Sequence, residues 1–159
     1  MLSMGLVGKV PRIIAHGTGS QTVSGTGSAV DMAPSLITVP AGLMGAESSV
    51  RITLTWKFTG TTASKTCGIK FGSATVASVA QSSATLSATT INVFHNKTTL
   101  GVLSQVGFAG NVSPGIGASG NTTATGSVDT NAAVVIQILF TGNAADTASL
   151  EHYIVEVLP

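Results

Sequence analysis

The chain has 159 residues, of which only 8% are charged and 4% aromatic, and its formal net charge is +1. Because its basic residues are scattered rather than clustered among aromatics, the composition argues against a surface that binds nucleic acid. No basic segment precedes a long apolar run at the start, and no apolar run approaches the ~18 residues that span a bilayer, so we expect neither a signal peptide nor a membrane segment.

The low charge also bears on association between molecules. A typical soluble domain is about 25% charged, and repulsion between such surfaces keeps copies apart. Here Gly, Ser, Thr and Asn must cover much of the surface. We therefore expect a protein that packs against others, with a monomer that carries a neutral, hydroxyl-rich coat as the alternative.

The first segment, residues 1–33, has a composition of its own. It contains the sequence Gly-Thr-Gly-Ser twice and little periodicity beyond 10–15. We interpret it as a Gly/Ser/Thr-rich N-terminal arm or as a loose first hairpin of the domain that follows. An arm could lie along the sheet edge of a neighbouring molecule, whereas a poorly ordered terminus would have no such role. The remaining residues, 34–159, form the predicted domain.

The clearest periodic pattern in the chain lies at 50–58. Apolar and polar residues alternate there, which is typical of a strand with one buried and one solvated face. The inward set that this alternation predicts is Val50, Ile52, Leu54, Trp56 and Phe58. Residues 65–71 repeat the pattern with Cys67 and Phe71 on one face, and the polar segment 59–64 between the two strands predicts a hairpin.

Shorter strands are predicted at 35–39, 74–80, 84–94, 101–108, 132–141 and 149–158. Residues 132–141 are apolar on both faces, since Val135 and Leu139 face away from the main apolar set. This indicates a strand that is central and covered, or one that lies at a subunit interface. No segment longer than one turn shows the spacing of an amphipathic helix. Short strands separated by turns predict an all-β fold, which we interpret as a jelly-roll-like antiparallel β-sandwich.

Residues capable of catalysis or metal binding form no recognisable motif. The three histidines, His16, His95 and His152, lack the spacing of a metal site. The carboxylates are Asp31, Glu47, Asp129, Asp146, Glu151 and Glu156. They form no evident pair across a substrate and are interpreted as solvated surface acids. The single cysteine, Cys67, is interpreted as a buried strand residue. We therefore expect no enzymatic activity, no catalytic residues, no cofactor and no metal site.

Two further patterns match known motifs by letter only. Residues 115–120 read Gly-x-Gly-x-x-Gly, but Pro114 precedes them and no helical pattern follows, so no dinucleotide site is expected. Asparagine begins an Asn-x-Ser/Thr tripeptide at 96–98, 111–113 and 121–123. In the absence of a secretory signal, these tripeptides are interpreted as plain polar loops.

Several runs of the chain resemble the small jelly-roll virion proteins of tailed bacteriophages. The runs are 37–45, 49–53, 65–76, 104–107, 126–130 and 150–158. They consist mainly of strand ends and turns, and together they extend over residues 35–158. The resemblance implies a jelly-roll module that trimerises on the virion, and it identifies no catalytic or binding residue. The low charge and the Gly/Ser-rich start depart from the family, and both concern the mode of attachment.

The resemblance leaves two functions open, both in the virion and neither with nucleic acid or a membrane as partner. The first is a capsid decoration or cement protein, a homotrimer that binds the major capsid protein between coat subunits and stabilises the shell. The lack of a predicted fibre shaft favours it. The alternative is a tail or receptor-binding protein, which would contact tail proteins or a host receptor through loops at 59–64, 95–100 and 109–127.

Overall fold

The computed structural model describes residues 10–32, 37–60, 64–82, 86–96, 105–112 and 122–159. The regular elements in these ranges are all β-strands, which confirms the predicted all-β class. They are β1 (Arg12–Ser24), β2 (Val30–Asp31), β3 (Ile37–Val39), β4 (Ser49–Thr59), β5 (Lys65–Phe71), β6 (Ala74–Gln81), β7 (Ser87–Asn96), β8 (Gln105–Val112), β9 (Thr122–Gly126), β10 (Val134–Thr141) and β11 (Thr147–Leu158). Within these ranges, no helix has the length and apolar character needed to cross a membrane.

The strands form two sheets that pack face to face, as predicted for a sandwich. Sheet A has six strands in the order β1-β11-β4-β7-β8-β9. Sheet B has five strands, in the order β2-β10-β5-β6, with β3 pairing beside β2 on the same edge of β10. All of these pairings are antiparallel.

The hairpin predicted for 50–58 and 65–71 is wrong. These segments form β4 and β5, but β4 pairs with β11 and β7 in sheet A, whereas β5 pairs with β10 and β6 in sheet B. Alternation specifies which face of a strand is buried, but not which strand it pairs with. Two strands that face the same core show the same alternation whether they are neighbours in one sheet or lie in opposite sheets. The hairpin partner of β5 is β6, which follows a turn at Gly72 with φ of 59°.

The other predicted strands are present with shifted ends. The segments 74–80, 84–94 and 132–141 correspond to β6, β7 and β10. The segment 101–108 corresponds to β8, which begins at Gln105, while its first four positions lie outside the described residues. The strand β9 was missed, because its Thr-rich sequence was interpreted as part of the loop at 109–127.

The described part of residues 1–33 lies mostly within the sandwich. Residues 12–24 form β1, which ends sheet A and pairs with β11 over nearly its whole length. Residues 30–31 form β2 and pair with β10. Apolar side chains of β1, such as Val23, pack against the core. Residues 1–9 lie outside the described residues.

The core between the sheets is built around aromatic contacts. Trp56 is fully buried, as its alternation predicted, and so is the rest of the inward set of β4. Its ring stacks on Phe58 with centroids 6.1 Å apart, and Phe58 stacks on Phe140 of sheet B at 6.2 Å. A second stack, of Phe71 on Phe94 at 5.8 Å, also crosses between the sheets. These contacts between strands of opposite sheets set their relative position.

The last strand, β11, needs a β-bulge to bury its apolar residues. Leu150 lies at an even position and Val155 and Val157 at odd ones, yet all three are buried. Strict alternation would place Leu150 on the opposite face from the other two. A register shift between Leu150 and His152 leaves Glu151 as the extra residue and returns both halves of the strand to the same side.

Candidate interaction surface

The histidines lie on one surface but do not form a site. By strand register, His16, His95 and His152 all belong to the solvent side of sheet A, which the sequence did not indicate. His95 lies at the end of β7, where its Nδ1 is 2.8 Å from the Oγ of Ser49. The described residues contain no group of three or more His, Cys, Asp or Glu that could hold a metal ion. That the chain has no catalytic residue stays a prediction.

Cys67 lies in β5 and points into the core. It is 3% exposed, which confirms that it is a buried strand residue. Burial in this apolar setting raises the pKa of its thiol, because the thiolate would lose its hydration. A thiol that stays protonated and out of contact with solvent is a poor nucleophile.

Asn96, the first residue of the tripeptide at 96–98, is fully buried at the end of β7. Its Nδ2 donates hydrogen bonds to the carbonyl oxygens of Met44 and Gly45, at 3.2 and 3.0 Å, and to Thr130 Oγ1 at 3.0 Å. Thr130 in turn donates to the carbonyl oxygen of Met44. The Asn96 side chain therefore links the segment before β4 to the segment before β10 through hydrogen bonds. Because it is buried, it is inaccessible to glycosylation in the folded protein.

Asp146 was expected to be a solvated surface acid, and this expectation is wrong. Its side chain and that of Lys65 are both fully buried, with Lys65 Nζ 3.6 Å from Asp146 Oδ1. Oδ2 accepts a hydrogen bond from the backbone N–H of Asn143 at 3.2 Å. Gly60, at φ of 83°, lies so close that a side chain there would collide with the carboxylate. Only the tertiary contact between two loops reveals this structural role.

The outer face of sheet A is a broad surface that side chains of four adjacent strands define. It comprises the solvent-side residues of β1, β4, β7 and β11. These are Ile13, His16, Thr18, Thr22, Ser24, Ser49, Arg51, Thr53, Thr55, Lys57, Thr59, Ser87, Thr89, Ile91, Val93, His95, Thr147, Ser149, His152, Ile154, Glu156 and Leu158. Hydroxyl groups predominate, and the strand register places them in rows across the sheet.

Polar side chains on the outer face hydrogen-bond to one another across neighbouring strands. The hydroxyls of Thr22 and Ser149 are 2.6 Å apart, and those of Thr59 and Thr147 are also hydrogen-bonded. Such cross-strand pairs stabilise the sheet modestly, by about 0.2–1 kcal/mol each. They also satisfy part of the hydrogen-bonding capacity of these four hydroxyls without water.

The central charges of the outer face are paired. Arg51 Nε donates a hydrogen bond to Glu156 Oε2 at 2.7 Å, across β4 and β11. This hydrogen bond, together with the charge of Glu156, raises the pKa of the Arg51 guanidinium. The pair brings no net charge to the middle of the sheet, whereas Lys57 is exposed nearer its end.

Apolar side chains occupy a row across the same face. Ile91 on β7 lies opposite Thr53 on β4, which lies opposite Ile154 on β11. Ile91 is 38% exposed, and Ile154 is partly exposed. The row is therefore apolar at both ends, with the methyl-bearing Thr53 in the middle.

A pocket lies at one end of the sandwich, away from the outer face. It has a volume of about 360 Å³. Its lining comprises Val10, Arg12, Gly42, Leu43, Gly45, Ser48, Val157 and Pro159. The lining brings together the start of β1, the segment before β4 and the end of β11, and among these residues only Arg12 is charged.

The loops that were predicted to contact a receptor do not all begin at the same end of the sandwich. The segments that follow β4 and β8 leave the same end of the sandwich, because Val112 pairs with Thr89 near the start of β7. The segment that follows β7 leaves the opposite end, where the N–H of Asn96 donates to the carbonyl of Ser48. The central parts of these loops lie outside the described residues.

The chain resembles a solved structure in its fold, but at low sequence identity. No protein-family model and no curated protein matches the chain. A similar solved structure is the CBM2 module of the evolved Dit of Lactobacillus casei BL23 phage J-1. The similarity covers 92% of this chain and 95% of that chain, with 10% sequence identity and a TM-score of 0.38. The function of this chain therefore has to follow from its own residues.

Proposed function

We propose that this chain is a non-enzymatic structural protein of a tailed-phage virion. More specifically, we propose a capsid decoration protein that associates with copies of itself, as a homotrimer, and binds the major capsid protein between coat subunits. The observation that carries the proposal is the outer face of sheet A, which is broad, rich in hydroxyls and centrally neutral. A second protein can cover such a surface with little loss of hydrogen bonds to water.

The placement of the reactive groups supports a structural role over a catalytic one. Cys67 faces the core, and Asp146, just before β11, forms a buried ion pair with Lys65 at the start of β5. An enzyme of this size would place comparable groups in a cleft, next to a base or an oxyanion site. In the described residues, these groups instead hold the fold together.

The strand order supports the jelly-roll interpretation. The strand pairs are nested along the chain, so that each pair encloses the next in sequence. From the outermost to the innermost they are β1·β11, β2/β3·β10, β4·β7 and β5·β6. Two Greek keys wound in this way make a jelly roll. The hairpin β8–β9 extends sheet A beyond β7. Jelly-roll strand order and the motifs that resemble phage virion proteins therefore support the same proposal.

A tail or receptor-binding protein is the second candidate. The observation that favours it is that β4 and β8 both end beside the start of β7, at one end of the sandwich, which is where a β-sandwich often presents binding loops. In that case the outer face of sheet A would contact other tail subunits, and the loop end would contact the host.

Quantitative mass spectrometry of purified virions tests the proposal. The copy number of this chain is measured relative to the major capsid protein, with isotope-labelled peptides of both as standards. A ratio comparable to that of the capsid protein is expected for a decoration protein. A ratio far below it would replace the decoration role by the tail candidate, and absence from washed particles would overturn both.

A further inference from the structure

We infer that the outer face of sheet A is the surface through which one copy of this chain contacts a second copy. The inference rests on the proposed function, because an assembling virion protein has to offer such a contact, and it names the partner of that surface. Four observations carry it: the paired charges, the paired hydroxyls, the area of the sheet and the central apolar row.

The charges at the centre of the outer face permit contact between identical molecules, and the exposed Lys57 lies nearer the end of the face. Copies of one chain bring the same charges to their interface, so unpaired charges tend to repel. Arg51 and Glu156 neutralise each other within one molecule through a hydrogen bond of 2.7 Å. A second copy therefore meets a centre with no net charge, and its own pair adds none.

The hydroxyls of the outer face also lower the cost of covering it. A polar group that loses water on burial costs about 1–3 kcal/mol when it finds no partner. Here Thr22 is bonded to Ser149, Thr59 to Thr147, and Ser49 to His95. Because these partners lie within the same sheet, the hydrogen bonds persist when a second surface excludes water.

The dimensions of the outer face are close to those of a stable contact. Its four strands, spaced about 4.8 Å apart, give a width of roughly 19 Å, and their 10–13 residues give a length of roughly 38 Å. The resulting area, roughly 730 Å², is close to the ~800 Å² that each partner contributes to a specific interface of ordinary size.

The apolar row supplies the centre of the contact. Ile91, Thr53 and Ile154 lie side by side on β7, β4 and β11, and β4 is an inner strand of sheet A. Interfaces draw most of their energy from apolar side chains near the centre, with a polar rim around them. The outer faces of two copies meet about a two-fold axis in this contact, so the proposed homotrimer needs a further contact between different surfaces.

Light scattering on size-exclusion fractions tests the inference with Ile91→Lys. The matched control is Leu86→Lys, since Leu86 is 60% exposed but precedes β7 and aligns with the inward Phe58. We expect the wild type and the control to form oligomers, and Ile91→Lys to dissociate at least tenfold more readily. Thermal unfolding followed by circular dichroism shows whether each variant folds. If Ile91→Lys does not fold, Thr89→Arg on the same strand and face takes its place.

Each result bears on the inference. A wild type that stays monomeric at about 100 μM, a face variant that assembles like the wild type, or a control that dissociates equally would overturn it. The proposed function is tested separately by the copy number in virions. If the protein forms oligomers through the outer face but is absent from virions, the proposed function is refuted and the inferred contact between copies stands.

Discussion

Replacing Trp56 by alanine perturbs the centre of the core that the alternation of β4 predicts. The indole is fully buried, stacks on Phe58 at a centroid distance of 6.1 Å and an interplanar angle of 11°, and donates a hydrogen bond from Nε1 to Thr90 Oγ1 at 3.2 Å. The substitution would therefore remove an apolar surface, a stacking contact and the donor to a buried hydroxyl.

The magnitude follows from the buried area. A buried Trp side chain removes roughly 200 Å² from water, which at about 25 cal/mol per Å² amounts to about 5 kcal/mol. Alanine retains part of this, so we expect Trp56→Ala to lower the free energy of unfolding by about 4 kcal/mol, within the ~3–5 kcal/mol typical of Trp or Phe to Ala changes in cores. Because domains of this kind are stable by about 5–15 kcal/mol, the variant remains folded at low temperature only if the wild type lies well within that range.

Urea denaturation followed by circular dichroism measures the change, since Trp56 is the single tryptophan and its fluorescence is lost with it. The matched control is Thr55→Ala, the next residue on the same strand but on the outer face, for which we expect a change within about 0.5 kcal/mol. A loss below about 1 kcal/mol for Trp56→Ala, or an equal loss for both variants, would refute the assignment of the faces of β4.

Two further predictions concern buried groups. Because burial raises the pKa of the Cys67 thiol, we expect a thiol reagent at pH 8 to label it only after denaturation in guanidinium chloride; rapid labelling of the native protein would contradict its position in the core. Asp146→Asn leaves Lys65 buried without its carboxylate, so we expect a loss of about 3–5 kcal/mol in urea denaturation. The double variant Lys65→Met/Asp146→Asn should lose less than the sum of the two single variants, and simple additivity would show that the two side chains do not interact in the folded protein.

The alternation of apolar and polar residues predicted the strands well, because successive side chains of a pleated strand point to opposite faces and only one face is buried. In β4, every second residue is apolar, and all of these residues are buried. The same reasoning found β5, β6, β7 and β10. It missed β9, whose Thr-rich sequence shows no apolar face, and it did not predict the β-bulge that shifts the alternation of β11 at Glu151.

The candidate surface was only partly predictable. The low charge of the sequence indicated a protein that packs against others, but it did not say where. Strand order decides this, because the register of β4 against β7 and β11 is what brings Ile91, Thr53 and Ile154 into one row and Arg51 next to Glu156. These residues are far apart in the chain, and no local pattern connects them.

By itself, the sequence determined the all-β class, the inward faces of the main strands and the burial of Trp56 and Cys67, since each depends on local periodicity. The tertiary structure alone decided which strands pair, that residues 12–24 close sheet A, and that Asp146 is buried against Lys65. The physical reason is the same in each case. Strand pairing and ion-pair partners depend on contacts between segments that are distant in the sequence. Local periodicity carries no information about these contacts, which form only when the whole chain folds.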